Sequence, residues 1–166
     1  MNCLFFLLAA LLSNLLSTHP IPDEEFLLGK WECTGNTLVF MDKEGDTPSS
    51  KEVSTYLKGM GVTPDNCTLT FAKGNKCHFR KGKHSFNLNW SIHPTKKEFC
   101  SSIAFFSLTG YLVQENEHII LVYNRPDLFM MMQFLCNAEE RKNIAPLGEL
   151  LDCCDGLTIG MVFSKR

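Results

Sequence analysis

The sequence lacks the short motifs on which most enzyme assignments rest. It has no Gly-rich phosphate loop and no Gly-x-Ser-x-Gly elbow. Nucleotide cradling and serine-hydrolase chemistry therefore have no starting point. It has no Cys-x-x-Cys pair and no Cys-His spacing suited to zinc, although eight cysteines are present. It has no excess of basic residues: the formal net charge is -2, which argues against nucleic acid, since that needs a basic face. It also has no apolar run of membrane-spanning length. The apolar stretch from Cys3 to Leu12 is too short and too interrupted to cross a bilayer.

What is present is a chain able to bury a core. The 166 residues are 45% hydrophobic and 20% charged, which suggests one folded domain preceded by an N-terminal segment. The segment is taken as residues 1–22 and the domain as 23–166. Met1 to Ser17 carry no charge. The stretch Cys3–Leu12 fits the core of a signal peptide, but the usual positive start is missing. Leu4, Leu8, Leu11, Leu12 and Leu15 recur at helical spacing, so a helix packed on the domain is the alternative to export. In an exported chain disulfides are expected. Cys67 and Cys77, however, share strand parity with Leu69, Phe71 and Phe79, which suits free core thiols equally well.

Period-two alternation dominates from Cys67 to Asn124. In His84–Ile92, Phe86, Leu88, Trp90 and Ile92 fall on one face, and Ser85, Asn87, Asn89 and Ser91 fall on the other. That pattern predicts a strand with one dry side. Further strands are predicted at Phe26–Thr34, Thr37–Met41, Cys67–Lys73, Lys76–Lys81, Glu98–Leu108, Tyr111–Glu115, His118–Asn124 and Leu157–Ser164. Gly35-Asn36 reads as a turn or bulge, and Thr109-Gly110 as a hairpin turn. Helices are predicted from Thr47 to about Gly61, from Arg125 to about Ala138, and near Pro146–Cys153. A sheet dry on one side must close or be covered. The fold class is mainly β: an antiparallel barrel of eight or nine strands with two or three short helices inserted. Such a barrel is filled by side chains or holds one small ligand.

No set of chemical groups converges. Cys77 and His78 are neighbours in one strand and point to opposite faces. His78 and His84 meet across the Gly82-Lys83 turn in this reading, without an acidic neighbour. The carboxylates Asp23–Glu25 and Glu139-Glu140 read as solvated charge. Lys73, Lys76, Arg80, Lys81 and Lys83 read as soluble hairpin turns. The aromatics carry the functional reading. Phe71, Phe79, Phe86, Trp90 and Tyr111 share the barrel interior if the strand phases hold. The helix Phe129–Leu135 is apolar nearly all round and rich in adaptable methionine, so Met131 lids or plugs the barrel mouth.

The residues Gly29-Lys30-Trp31 resemble the lipocalin and calycin signature, in which the tryptophan plugs one end of the barrel. The order of the whole domain resembles a bacterial lipocalin-like family of unknown function, mostly exported proteins of gut anaerobes. The matching stretches include Tyr56–Gly61, Leu69-Thr70-Phe71, Thr109-Gly110-Tyr111, Arg125–Leu128 and Asp155–Phe163. The resemblance implies a lipocalin-like barrel and an extracytoplasmic location, in the periplasm or cell envelope. It implies no activity, because the family has no established one; the residues themselves lead to the expectation of a non-enzyme with no cofactor and no metal.

Two functions follow as expectations. The first is a non-enzymatic binding protein of the cell envelope. It holds a small apolar molecule among Trp31, Phe71, Phe79, Phe86, Trp90, Tyr111 and Met131. The second is a filled barrel that acts as a structural or protein-interaction module. The first requires a cavity of about 300 Å³ or more. The second requires ordinary packing density. Neither involves nucleic acid, and a membrane enters only through export or the N-terminal segment.

Overall fold

Alternating burial along successive strands curls the sheet until its ends meet. The computed structural model describes residues 9–42, 45–103 and 105–166. The chain begins with β1 (Ala9–Leu11), α1 (Leu12–Thr18), α2 (Glu24–Leu27) and β2 (Gly29–Phe40). After α3 (Ser50–Gly59) come β3 (Cys67–Ala72), β4 (Lys76–Lys81) and β5 (His84–Ile92). Then follow β6 (Glu98–Ile103), β7 (Phe106–Glu115) and β8 (His118–Tyr123). The strand β9 (Leu157–Lys165) comes last, after α4 (Arg125–Leu135), a 3-10 turn at Glu140–Asn143 and α5 (Ile144–Leu151). From β2 to β9 each strand pairs antiparallel with the next, and β9 returns to pair with β2. The result is a closed eight-stranded antiparallel barrel, as expected. The short β1 adds a parallel pairing to the end of β2.

One end of the barrel, the base, holds the β3–β4, β5–β6 and β7–β8 turns together with α2. Trp31 is 0% exposed there, and its indole Nε1 donates to the Leu27 carbonyl at 2.7 Å. The Asp23 side chain caps α2 by accepting from the Phe26 amide at 2.7 Å. That helix was not predicted, because the sequence offers only a short acidic turn before the strand.

The opposite end carries α3, α4, the 3-10 turn and α5. Lys81 ends β4 there and is only 2% exposed. Its ammonium donates to the Met60 carbonyl and to Glu140 Oε2, each at 2.8 Å. A buried charge needs such partners. Lys81 and Glu140 thus correct the expectation of solvated charge at both positions.

The N-terminal helix is docked. Leu12 and Leu15 are buried with Val39, Val113, Ile120 and Val122 in a second apolar cluster. These strand residues alternate with the inward-facing Leu38, Leu112, Ile119 and Leu121, so the cluster lies on the outer wall. Lys97 Nζ donates to the Leu16 carbonyl at 2.9 Å and adds a polar tie. The predicted signal-like core falls mostly on residues 1–8, outside the described residues.

One open reading is resolved and one turn differs from expectation. Gly35-Asn36 is not a turn: β2 runs through it with a register shift between Cys33 and Gly35, the bulge alternative. Thr109-Gly110 is not a hairpin either. Gly110 lies inside β7, opposite Phe99 on one side and Tyr123 on the other. A Cβ at Gly110 would lie 2.3 Å from the Val122 carbonyl oxygen and 2.6 Å from Tyr123 Cδ1. The glycine admits the neighbouring strand's backbone and ring and does not turn the chain. The turn falls instead between Ile103 and Phe106, and this shift corrects the phase of Tyr111. That residue packs on the outer cluster beside α1 and not in the interior.

Candidate functional site

The helical end of the barrel contains a narrow apolar mouth between α4 and the wall formed by β4, β5 and β6. Phe79 of β4 lies opposite Phe86 of β5, and Cys77 lies opposite Leu88. Their shared parity brings all four to one lining. Phe99, Ser101 and Ile103 of β6 continue it, and Met131 and Leu135 of α4 close it from above. Tyr123 lies deeper. Its hydroxyl and the Ser101 hydroxyl are 2.9 Å apart, the polar pair in an otherwise apolar lining. Burial pushes the Tyr123 phenol far up, against the lowering effect of the Ser101 hydrogen bond.

The space among these residues measures about 430 Å³ when its opening to solvent is included. Only about 30 Å³ of it admits a whole water molecule. The smaller figure decides what fits as the side chains stand, and ligand pockets run to about 300–1,000 Å³. The mouth is closed to anything larger than a small solvent molecule. Its rim is nevertheless apolar. Phe105, Met130 and Phe134 are the exposed large hydrophobics among the described residues, and the Phe106 and Phe134 rings lie 4.2 Å apart. A shallow trough of about 500 Å³ also lies on the outside of β3, β4 and β5. It is open and of mixed polarity, with His78 Nδ1 2.9 Å from Asn87 Oδ1.

The predicted interior residues divide into three groups. Phe79, Phe86 and Met131 line the mouth. Trp31, Phe71 and Trp90 lie toward the base. Phe71 packs edge-on to Trp90 at 5.4 Å, and Trp90 stacks on Phe99 at 6.4 Å. Tyr111 lies outside. Sequence reasoning missed Ser101 and Tyr123. Ser101 shares parity with Phe99, and Tyr123 with Ile119 and Leu121, so strand alternation alone places both inward.

His84 lies opposite Lys81 and His78 opposite Asn87, so the two histidines do not face each other across the turn. Among the described residues no group of three or more His, Cys, Asp or Glu side chains could hold a metal ion. All seven described cysteines are unpaired. Burial pushes the Cys33 thiol up to about 11 and those of Cys67 and Cys77 up to about 12, which marks them as inert packing groups.

A family model described as a lipocalin-like domain (DUF4923) matches residues 45–165. The chain belongs to this family. No curated protein and no solved structure matches it.

Proposed function

We propose that this lipocalin-like domain is a non-enzymatic binding protein that takes a small apolar group at the mouth beneath α4. The observation that carries the reading is the apolar lining of Phe79, Phe86, Leu88 and Met131, beside which the part-exposed Phe134 packs on Phe106, the strand partner of the lining residue Ile103. A monomer gains nothing by leaving the Phe134 ring in water. The closed volume requires that side chains yield on binding. Met131 is the natural one to do so, because an unbranched thioether repacks at low cost. The buried Ser101 and Tyr123 hydroxyls offer one polar contact for a ligand headgroup.

Titration with anilinonaphthalene sulfonate tests this. Saturable one-to-one binding is expected, weakened about tenfold or more, or about 1.4 kcal/mol, in Met131→Trp. Binding that is absent, or unchanged in that variant, would favour the second reading. That reading is a filled barrel serving as a structural or protein-interaction module, and the cavity of only about 30 Å³ supports it.

The proposal also assigns the protein to the periplasm or cell envelope. Its support is the exported habit of the family that the sequence resembles; the docking of α1 on the outer wall favours the alternative reading of the apolar start. Cell fractionation with sequencing of the mature N-terminus tests it. Recovery of the protein in the cytoplasm would overturn that part alone.

A further inference from the structure

Two neighbouring cysteines close the turn that follows α5. Cys153 is exposed and Cys154 is half-buried, and their Sγ atoms lie 3.5 Å apart. The turn is not helical at these residues; the Cys154 amide donates to the Leu151 carbonyl and its carbonyl accepts from the Leu157 amide, each at 3.3 Å. The Cys154 thiol donates to the Asp46 carbonyl in the segment that leads into α3. Arg125 lies on the same side, paired with Asp152 at 2.5 Å. The other thiols contrast with this pair. Cys33, Cys67, Cys77 and Cys136 are buried, and Cys100 is half-buried.

We propose that Cys153 and Cys154 form a surface dithiol site that exchanges with small-molecule disulfides, cycling between two free thiols and a ring closed through the peptide bond between them. The chemistry balances without a metal or a further cofactor. The Cys153 thiolate attacks one sulfur of the incoming disulfide. The S–S bond breaks, and one small thiolate leaves with the electron pair. Cys154 then loses its proton to water and attacks the Cys153 sulfur, releasing the second small thiolate. Two electrons pass from the protein to the small disulfide, which is reduced to two thiols. The exposed position of Cys153 makes it the attacking residue. The sulfurs start 3.5 Å apart and close to the bonded distance of about 2.0 Å, with the trans peptide between the two residues distorting as the ring forms.

The product is a labile bond and not a staple. Adjacent Cα atoms lie about 3.8 Å apart, closer than a relaxed disulfide accepts, so the ring is readily reopened by thiols. Closing it also removes the thiol proton donated to Asp46. The state of the pair is thereby linked to the approach to α3.

Incubation of the purified full chain with glutathione disulfide tests the proposal, read by intact mass and peptide mapping after acid trapping. The wild-type protein should lose the mass of two hydrogen atoms, keep no glutathione at this site, and show the new bond between Cys153 and Cys154. Cys154→Ser should retain one glutathione on Cys153, the trapped intermediate. Cys153→Ser, at an exposed turn position that leaves the core intact, should form no ring. Three results would each overturn the proposal. They are a wild-type chain that holds glutathione on Cys153 as stably as the variant, a bond that maps to Cys100 or another thiol, and no reaction at all.

Discussion

Lys81 follows Cys77 and Phe79 on the inward face of β4, so strand alternation carries its ammonium into the end of the barrel. It is tolerated because the Met60 carbonyl and Glu140 meet it there. Burial alone would raise the Glu140 carboxyl, but the Lys81 ammonium and the Asn137 amide together hold it below its ordinary value of 4.5. The folded chain therefore binds fewer protons here than the unfolded chain. The resulting stability is complete above 4.5 and is lost as pH falls through the lowered folded value. Glu140→Gln should cost about 3 kcal/mol at neutral pH, the low end for a broken buried pair because Glu140 keeps contact with water. It should also flatten the acid limb of stability. Urea midpoints across the acid range check this, and equal acid slopes in the two proteins would remove Glu140 from the account. Trp31 is the second residue of consequence. Its ring is buried against Phe26 at 5.4 Å and beneath Lys165 Nζ at 5.5 Å. Trp31→Ala should destabilise by roughly 3–5 kcal/mol in urea titration. A loss under about 0.5 kcal/mol, typical of surface sites, would mean that this ring does not plug the base.

Among the elements, α1 is the most separable. It has only seven residues, too few to be helical by propensity alone. It exists because Leu12 and Leu15 bury against the outer wall. Leu15→Asp should undock it without opening the barrel. Hydrogen exchange should then show protection lost over residues 12–18 and retained over β9. Equal loss in both would mean that α1 and the barrel unfold as one unit. The helix α4 is held differently. Asn124 caps it by accepting from the Asp127 amide at 2.9 Å. Leu128, Met132 and Leu135 pack inward while Met130 and Phe134 face outward. That division lets α4 cover the mouth on one face and present an apolar rim on the other.

For the whole molecule, β9 is the closing piece, since it pairs with both β2 and β8. Barrel closure joins the base and the helical end into one cooperative unit. Trp31 and Trp90 should therefore report the same unfolding transition by fluorescence as far-UV dichroism does, and separated midpoints would count against a single unit. The buried thiols shape the alkaline side of stability. Their folded values, about 11 for Cys33 and about 12 for Cys67 and Cys77, lie above the ordinary 9.0. The unfolded chain loses these protons first. Stability is full below 9.0 and falls as pH rises toward the folded values. Cys77→Val, which keeps an apolar side chain in place of the thiol, should flatten part of that alkaline fall in urea midpoints. An unchanged fall would exclude Cys77 as a source.

The sequence by itself determined most strands, because burial on one side of a sheet writes a period of two into the chain. The β4 and β5 boundaries and the inward set Phe86, Leu88 and Trp90 were legible for that reason. So was the return of the final strand after the inserted helices. What only the tertiary structure decided were contacts between residues far apart in sequence. Thr109-Gly110 looks like a turn until the Tyr123 ring is seen to need the space. Lys81 looks like a soluble tip until Glu140, 59 residues later, comes to meet it. The volume of the mouth belongs to the same class. A pattern of apolar residues says which side chains face inward, but only their packing against α4 fixes how much room they leave.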